Sequence, residues 1–230
     1  MTSIPEIPAR RILLVTAALA LGLWADIHTD IVGQFAIGLA VWGLLLWLLA
    51  PLPVQARAVF FACVAIATAG ELFLSLGWGL YVYRLANVPL FVPPGHALML
   101  LLGIALSRRM AEGVARAIFV AAATYAAAAW LFGWDTLAIP LFLIIAVAAL
   151  SLPTHRRLFA STFVLCLTLE LYGTTLGNWS WLHDVPWVGL VTTNPPALAG
   201  AFYCALDALV LAALALPVVS QRRVVAVATT

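Results

Sequence analysis

Three carboxylates, Glu71, Glu170 and Asp207, lie inside long apolar runs of a 230-residue chain. At the centre of a membrane-spanning helix a carboxylate costs about 2.5–3.5 kcal/mol on insertion scales. A carboxyl kept neutral by desolvation can donate a proton, and one that stays ionised can receive it. His96, in the run Pro93-Pro94-Gly95-His96, adds an imidazole able to exchange protons near neutral pH. Glu71, Glu170, Asp207 and His96 therefore form the candidate catalytic set, with Glu71 or Asp207 as the acid and Glu170 or His96 as the counter-base. A purely structural role is the competing explanation for Glu71 and Glu170, which would then act as interhelical hydrogen-bond partners.

Other polar and aromatic residues gather at one set of run ends. Seven of the nine tryptophans, Trp24, Trp78, Trp130, Trp134, Trp179, Trp181 and Trp187, fall there. An interfacial belt would normally mark both faces, so the one-sided excess points to an aromatic-lined vestibule. The candidate binding set is Trp78, Tyr81, Arg84, Asn178, Trp179, Trp181, His183 and Asn194. In Asp26-x-His28-x-Asp30, all three side chains share a face only if the segment is extended, and these residues are expected to be ordinary solvated loop groups. Cys63, Cys166 and Cys204 lie within apolar runs and are expected to be buried, unpaired thiols. Neither a metal nor a cofactor is called for.

The elements that position these residues follow from composition. Apolar residues make up 65% of the chain and charged residues 9%, against about 25% charged in soluble domains. That excludes a soluble enzyme, a disordered chain and a secreted disulfide scaffold. The expected fold is all-α: a polytopic transmembrane bundle of about eight spans, over residues 12–27, 31–50, 58–80, 91–107, 115–134, 136–152, 158–177 and 195–217. Pro93-Pro94 is expected to interrupt the start of the fourth. All 11 basic residues are arginines. With both termini cytoplasmic, ten of them (Arg10, Arg11, Arg57, Arg108, Arg109, Arg116, Arg156, Arg157, Arg222 and Arg223) fall inside and Arg84 alone outside, as the positive-inside rule requires. A cell (inner) membrane location fits that pattern.

The two halves share an ordered pattern. Pro53-x3-Arg57 and Pro153-x3-Arg157 are followed by Glu71-Leu72 and Glu170-Leu171, then Gly77 and Gly177. Trp78 with Tyr81 matches Trp179 with Trp181, and each half continues through Val-Pro to Pro93-Pro94 or Pro195-Pro196. This predicts two repeats in one integrated membrane domain, residues 1–110 and 111–230, with four spans each. An even span number makes the copies parallel.

Four histidines are too few for an eight-histidine di-iron cluster, and there is no Gly-x-Ser-x-Gly nucleophile elbow. The loops lack a Gly-rich phosphate cradle, and the charge pattern does not suit nucleic acid. In its layout the chain resembles the small integral-membrane cyclases and hydratases of terpenoid and carotenoid pathways. Such proteins protonate an isoprenoid with intramembrane carboxyl groups, one Glu on an early span and one Asp on the last. Glu71 and Asp207 are the nearest positions here. Asp26-x3-Asp30 also resembles half of the magnesium–diphosphate motif of intramembrane prenyltransferases, but the second acidic motif is missing. The resemblance implies an acid–base enzyme whose partner is a membrane lipid or hydrophobic small molecule. A proton-coupled transporter and a non-catalytic assembly subunit are the competing functions.

Overall fold

A computed structural model describes residues 4–215. Arg222 and Arg223, and the end of the 111–230 segment, lie outside the described residues. The described chain is all-α, with α1 (Ala9–Asp26), α2 (Ile31–Leu49), α3 (Val54–Glu71), α4 (Val92–Ser107), α5 (Glu112–Phe132), α6 (Ala138–Ser151), α7 (Arg156–Leu176) and α8 (Gly200–Ala215). Two short antiparallel ribbons complete it: β1 (Tyr81–Tyr83) with β2 (Trp179–Trp181), and β3 (Asp184–Val185) with β4 (Leu190–Val191). Four helical stretches, Ile31–Leu49, Val54–Gly77, Glu112–Phe132 and Pro153–Leu176, are long and apolar enough to cross a membrane. Shorter apolar helices run over Val92–Ser107, Ala138–Ser151 and Gly200–Ala215.

Local chemistry sets the helix ends nearest the site. The Asp30 carboxylate caps α2 by accepting from Val32 N and Gly33 N at 3.1 and 3.0 Å, satisfying donors that a helix start leaves free. Pro93 and Pro94 do not interrupt the fourth run. They occupy the first turn of α4, where a missing N–H costs nothing and the fixed φ suits a helix. That helix is buried along most of its length. Gly177 ends α7 with φ of 86°, a left-handed conformation that glycine adopts without a Cβ penalty, and the chain turns directly into β2. On α3 the matching place is a π-helical turn, Leu72–Gly77, which begins immediately after Glu71.

The centre of the bundle is made where α3 and α7 pack against α4 and α8, around the fully buried Phe60, Leu98 and Phe159. Away from the ribbons, arginines seal helix termini. Arg57 donates to Ala50 O and Leu52 O beyond the end of α2, both at 2.7 Å, and Arg156 donates to Ala149 O near the end of α6 at 3.0 Å. Arg156, rather than Arg157, thus does the work of Arg57. The arginine spacing 57 to 156 then equals the glutamate spacing 71 to 170.

One expectation is overturned at the ribbon end. Asp26 is not a solvated loop acid: it is 1% exposed. Its Oδ1 accepts from Gln34 Nε2 at 2.8 Å and lies 3.4 Å from Arg84 Nη2, while its Oδ2 accepts from Asn178 Nδ2 at 2.9 Å. Arg84 also donates to Asp26 O and Thr29 O, and Asn178 donates to Leu23 O. A buried carboxylate needs such partners, and here they come from α2, from the residue after β1 and from the residue before β2. This node ties both strands of the first ribbon to α1. The three cysteines are free and buried.

Candidate active site

The strand pair β1–β2 arranges the site. Its register sets Tyr81 opposite Trp181, Val82 opposite Ser180 and Tyr83 opposite Trp179. Side chains alternate across a strand, so Tyr81, Tyr83, Trp179 and Trp181 share one buried face while Val82 and Ser180 point away. Cross-strand rings pack at 4.6 Å (Tyr81–Trp181) and 6.0 Å (Tyr83–Trp179) between centroids. This four-aromatic face roofs a largely apolar cavity of about 270 Å³ walled by α1, α2, α3, α4, α7 and α8.

Both glutamates end at that roof. Glu71, 7% exposed, receives two hydrogen bonds on Oε2, from the Tyr81 and Tyr83 hydroxyls at 2.7 Å each. Glu170 Oε2 likewise receives Trp179 Nε1 at 2.8 Å and Trp181 Nε1 at 2.9 Å. Burial, and then the charge of Glu71, push both tyrosine phenols well above their ordinary value, so they remain O–H donors at physiological pH. Donation to a charged group is worth about 1.5–3 kcal/mol. Tyr81→Phe and Tyr83→Phe are each expected to lower stability by about 1.5–3 kcal/mol on that basis, read as a lower melting temperature with secondary structure intact by circular dichroism. Wild-type melting temperatures in both variants would contradict this account of the roof.

His96 completes the arrangement. Its Nδ1 is 2.9 Å from Val92 O; a carbonyl only accepts, so Nδ1 carries a hydrogen. Its Nε2 is 3.3 Å from Glu71 Oε1. Glu71 Oε2 is filled by the two phenols, so Oε1 is the oxygen that faces the imidazole. The pair sets a carboxyl group and an imidazole side by side at the cavity wall. Tyr203 stacks on the imidazole at 4.8 Å and 10° and fixes its plane.

The structure brings together Glu71, His96, Glu170, Tyr81, Trp179 and Trp181, all of which line the cavity. The other expected residues lie elsewhere. Asp207 is 1% exposed and is not among the lining residues, although its neighbours Leu206 and Leu209 are. Arg84 and Asn178 belong to the Asp26 node. Trp78 donates to Pro186 O at 2.8 Å and stacks on Trp187. His183 Nδ1 meets Thr192 O at 2.9 Å beside the second ribbon, and Asn194 Oδ1 accepts from Trp181 N at 3.0 Å on the roof strand β2. The tryptophan vestibule reduces to Trp179 and Trp181. Trp24, Trp130, Trp134 and Trp187 are exposed.

Tyr83 and Tyr203 were not anticipated. For Tyr83 the signal was available: Tyr-x-Tyr ends 12 residues after Glu71 and Trp-x-Trp ends 11 after Glu170. It is Tyr81-x-Tyr83, not Trp78 with Tyr81, that pairs with Trp179-x-Trp181. Gly173 protects the second half of the device, because a Cβ there would lie 2.1 Å from Trp179 Cη2. The ring is held by β2 and by Glu170 and has nowhere to go. Gly173→Ala is expected to destabilise the fold by about 1–3 kcal/mol and to alter the near-ultraviolet tryptophan dichroism; an unchanged spectrum and melting temperature would contradict this packing.

Among the described residues, no three of His, Cys, Asp and Glu come together as a metal-holding group. No family model, curated protein or solved structure matches the chain.

Proposed function

We propose that this is an integral membrane enzyme that performs acid–base chemistry on an apolar, isoprenoid-like lipid held in the cavity. In this account the eight helices all span the membrane, as two parallel four-helix repeats over residues 1–110 and 111–230, with both termini cytoplasmic in the cell (inner) membrane. Supporting the membrane setting, large apolar side chains stand on the outside, with Leu13, Phe132 and Leu150 exposed by 70%, 71% and 71%. Exposed apolar surface of that kind is expected against lipid or a partner. Supporting the repeats, α3 packs on α8 as α7 packs on α4, and the antiparallel β1–β2 pair suits a two-fold axis along the membrane normal.

The observation that carries the function is the Glu71–His96 couple, open to an apolar, aromatic-walled cavity. A proton shared between Oε1 and Nε2 can pass to a lipid double bond and be recovered from an adjacent carbon, with Glu170 as the second carboxylate at the same cavity. Aromatic faces stabilise cationic character that develops on the lipid. At about 270 Å³ the cavity lies just below the roughly 300–1,000 Å³ of drug-sized pockets, which favours a small lipid or one end of a longer chain.

The test is a comparison of total lipid extracts from cells lacking the protein, cells expressing it and cells expressing Glu71→Gln. A species that changes its retention at constant mass only with the intact protein supports the enzyme. Identical lipids in all three would overturn it and favour proton-coupled transport.

A further inference from the structure

The two carboxylates of the cavity are held alike but completed differently. In each, Oε2 is filled by two aromatic donors, leaving Oε1 as the available oxygen. Glu71 Oε1 meets His96 Nε2 at 3.3 Å. Glu170 Oε1 has no hydrogen-bond partner among the described residues, and Glu170 lines the cavity. Between the sequence runs Pro93-Pro94-Gly95-His96, in the first turns of α4, and Pro195-Pro196-Ala197-Leu198, in the turn before α8, leucine replaces the histidine. No arginine lines the cavity among the described residues, and Arg84 is committed to Asp26 and Thr29. The wall that Glu170 shares is aromatic, with Trp181 between Tyr81 at 4.6 Å and Phe202 at 6.1 Å.

We infer that the cavity binds a lipophilic amine, with its ammonium on Glu170 Oε1 and its apolar body among Tyr81, Trp181 and Phe202. The ammonium places beside Glu170 Oε1 what His96 places beside Glu71 Oε1, a nitrogen next to an oxygen that an apolar wall cannot satisfy. Ring faces beside the carboxylate attract the same cation. The inference takes from the proposed function only that the cavity is a ligand site; it requires no proton transfer. It names the polar end of the ligand as a single basic nitrogen.

The probes are geranylamine and geraniol, equal in skeleton and differing in the cationic group. Equilibrium binding of each to the full-length protein in lipid nanodiscs is compared near pH 7, with empty nanodiscs as the partition control. Geranylamine is expected to bind about tenfold more tightly than geraniol. In Glu170→Gln that preference is expected to fall to within about twofold while geraniol binding is retained, showing the cavity to be intact. Glu170→Asp keeps the charge and is expected to keep the preference, which separates loss of charge from collapse of the site. Equal affinities in the wild type, or a preference that survives Glu170→Gln, would overturn the inference. Binding is read without turnover, so failure of the lipid chemistry leaves this result standing, and equal affinities beside intact turnover overturn this inference alone.

Discussion

Replacing Glu71 with glutamine is expected, on the proposed chemistry, to cut turnover of a lipid held in the cavity by orders of magnitude while leaving the fold intact. The amide carbonyl of the Glu71→Gln variant would still accept from the Tyr81 and Tyr83 hydroxyls, which donate at 2.7 Å in the wild type, so the roof stays in place. What disappears is the acidic oxygen 3.3 Å from His96 Nε2. General acid–base catalysis typically contributes 10²–10⁴-fold, and a loss of about that size is expected for Glu71→Gln. His96→Gln should lose a similar factor, since Val92 O and Glu71 Oε1 both rely on the imidazole. The double variant should be hardly worse than either single one, because the two groups share one proton and act as a unit. Rates within a few-fold of wild type in Glu71→Gln would end its role as the acid.

The largest stability effect is expected at Arg84, far from any bond-making step. Arg84→Met leaves Asp26 buried with only amide donors, Gln34 Nε2 and Asn178 Nδ2, and frees the backbone oxygens of Asp26 and Thr29. Removing one partner of a buried pair costs about 3–5 kcal/mol; Arg84 is 23% exposed on its side chain, so the low end, about 3 kcal/mol, is the expected loss. Thermal unfolding of the reconstituted protein should show it as a shift of several degrees. Adding Asp26→Asn should recover part of the loss, because the carboxylate left without its cation is removed. A shift indistinguishable from zero in Arg84→Met would mean that the node does not tie the ribbon to α1.

Helix positions were legible because the apolar runs are long and, after the first, are bounded by arginine, glycine or proline, and each run contains one α-helix. Glu71, His96 and Glu170 stood out as ionisable groups in apolar surroundings. Which way a side chain faces was not legible. Asp207 lies on α8, a helix with apolar residues on all sides, and such a helix carries no periodic signal to tell cavity from packing. Asp26 was misjudged for a different reason: its partners Arg84 and Asn178 are 58 and 152 residues away, and no local pattern reports them. The four-aromatic roof was half visible. The alternation in Tyr81-x-Tyr83 and Trp179-x-Trp181 encodes two strands with a shared face, but their pairing across the two halves is a long-range contact that only the fold supplies.

Proton transfer from the Glu71–His96 couple to carbon is the central claim, and solvent deuterium reports it most directly. The purified protein is reconstituted with the lipid fraction that changes on its expression, and the product formed in D2O is analysed by mass spectrometry. Incorporation of deuterium at carbon with each turnover by the wild type, and none with Glu71→Gln, is the predicted result. A product that forms in D2O without deuterium on carbon, or one that acquires it equally with Glu71→Gln, would contradict the account.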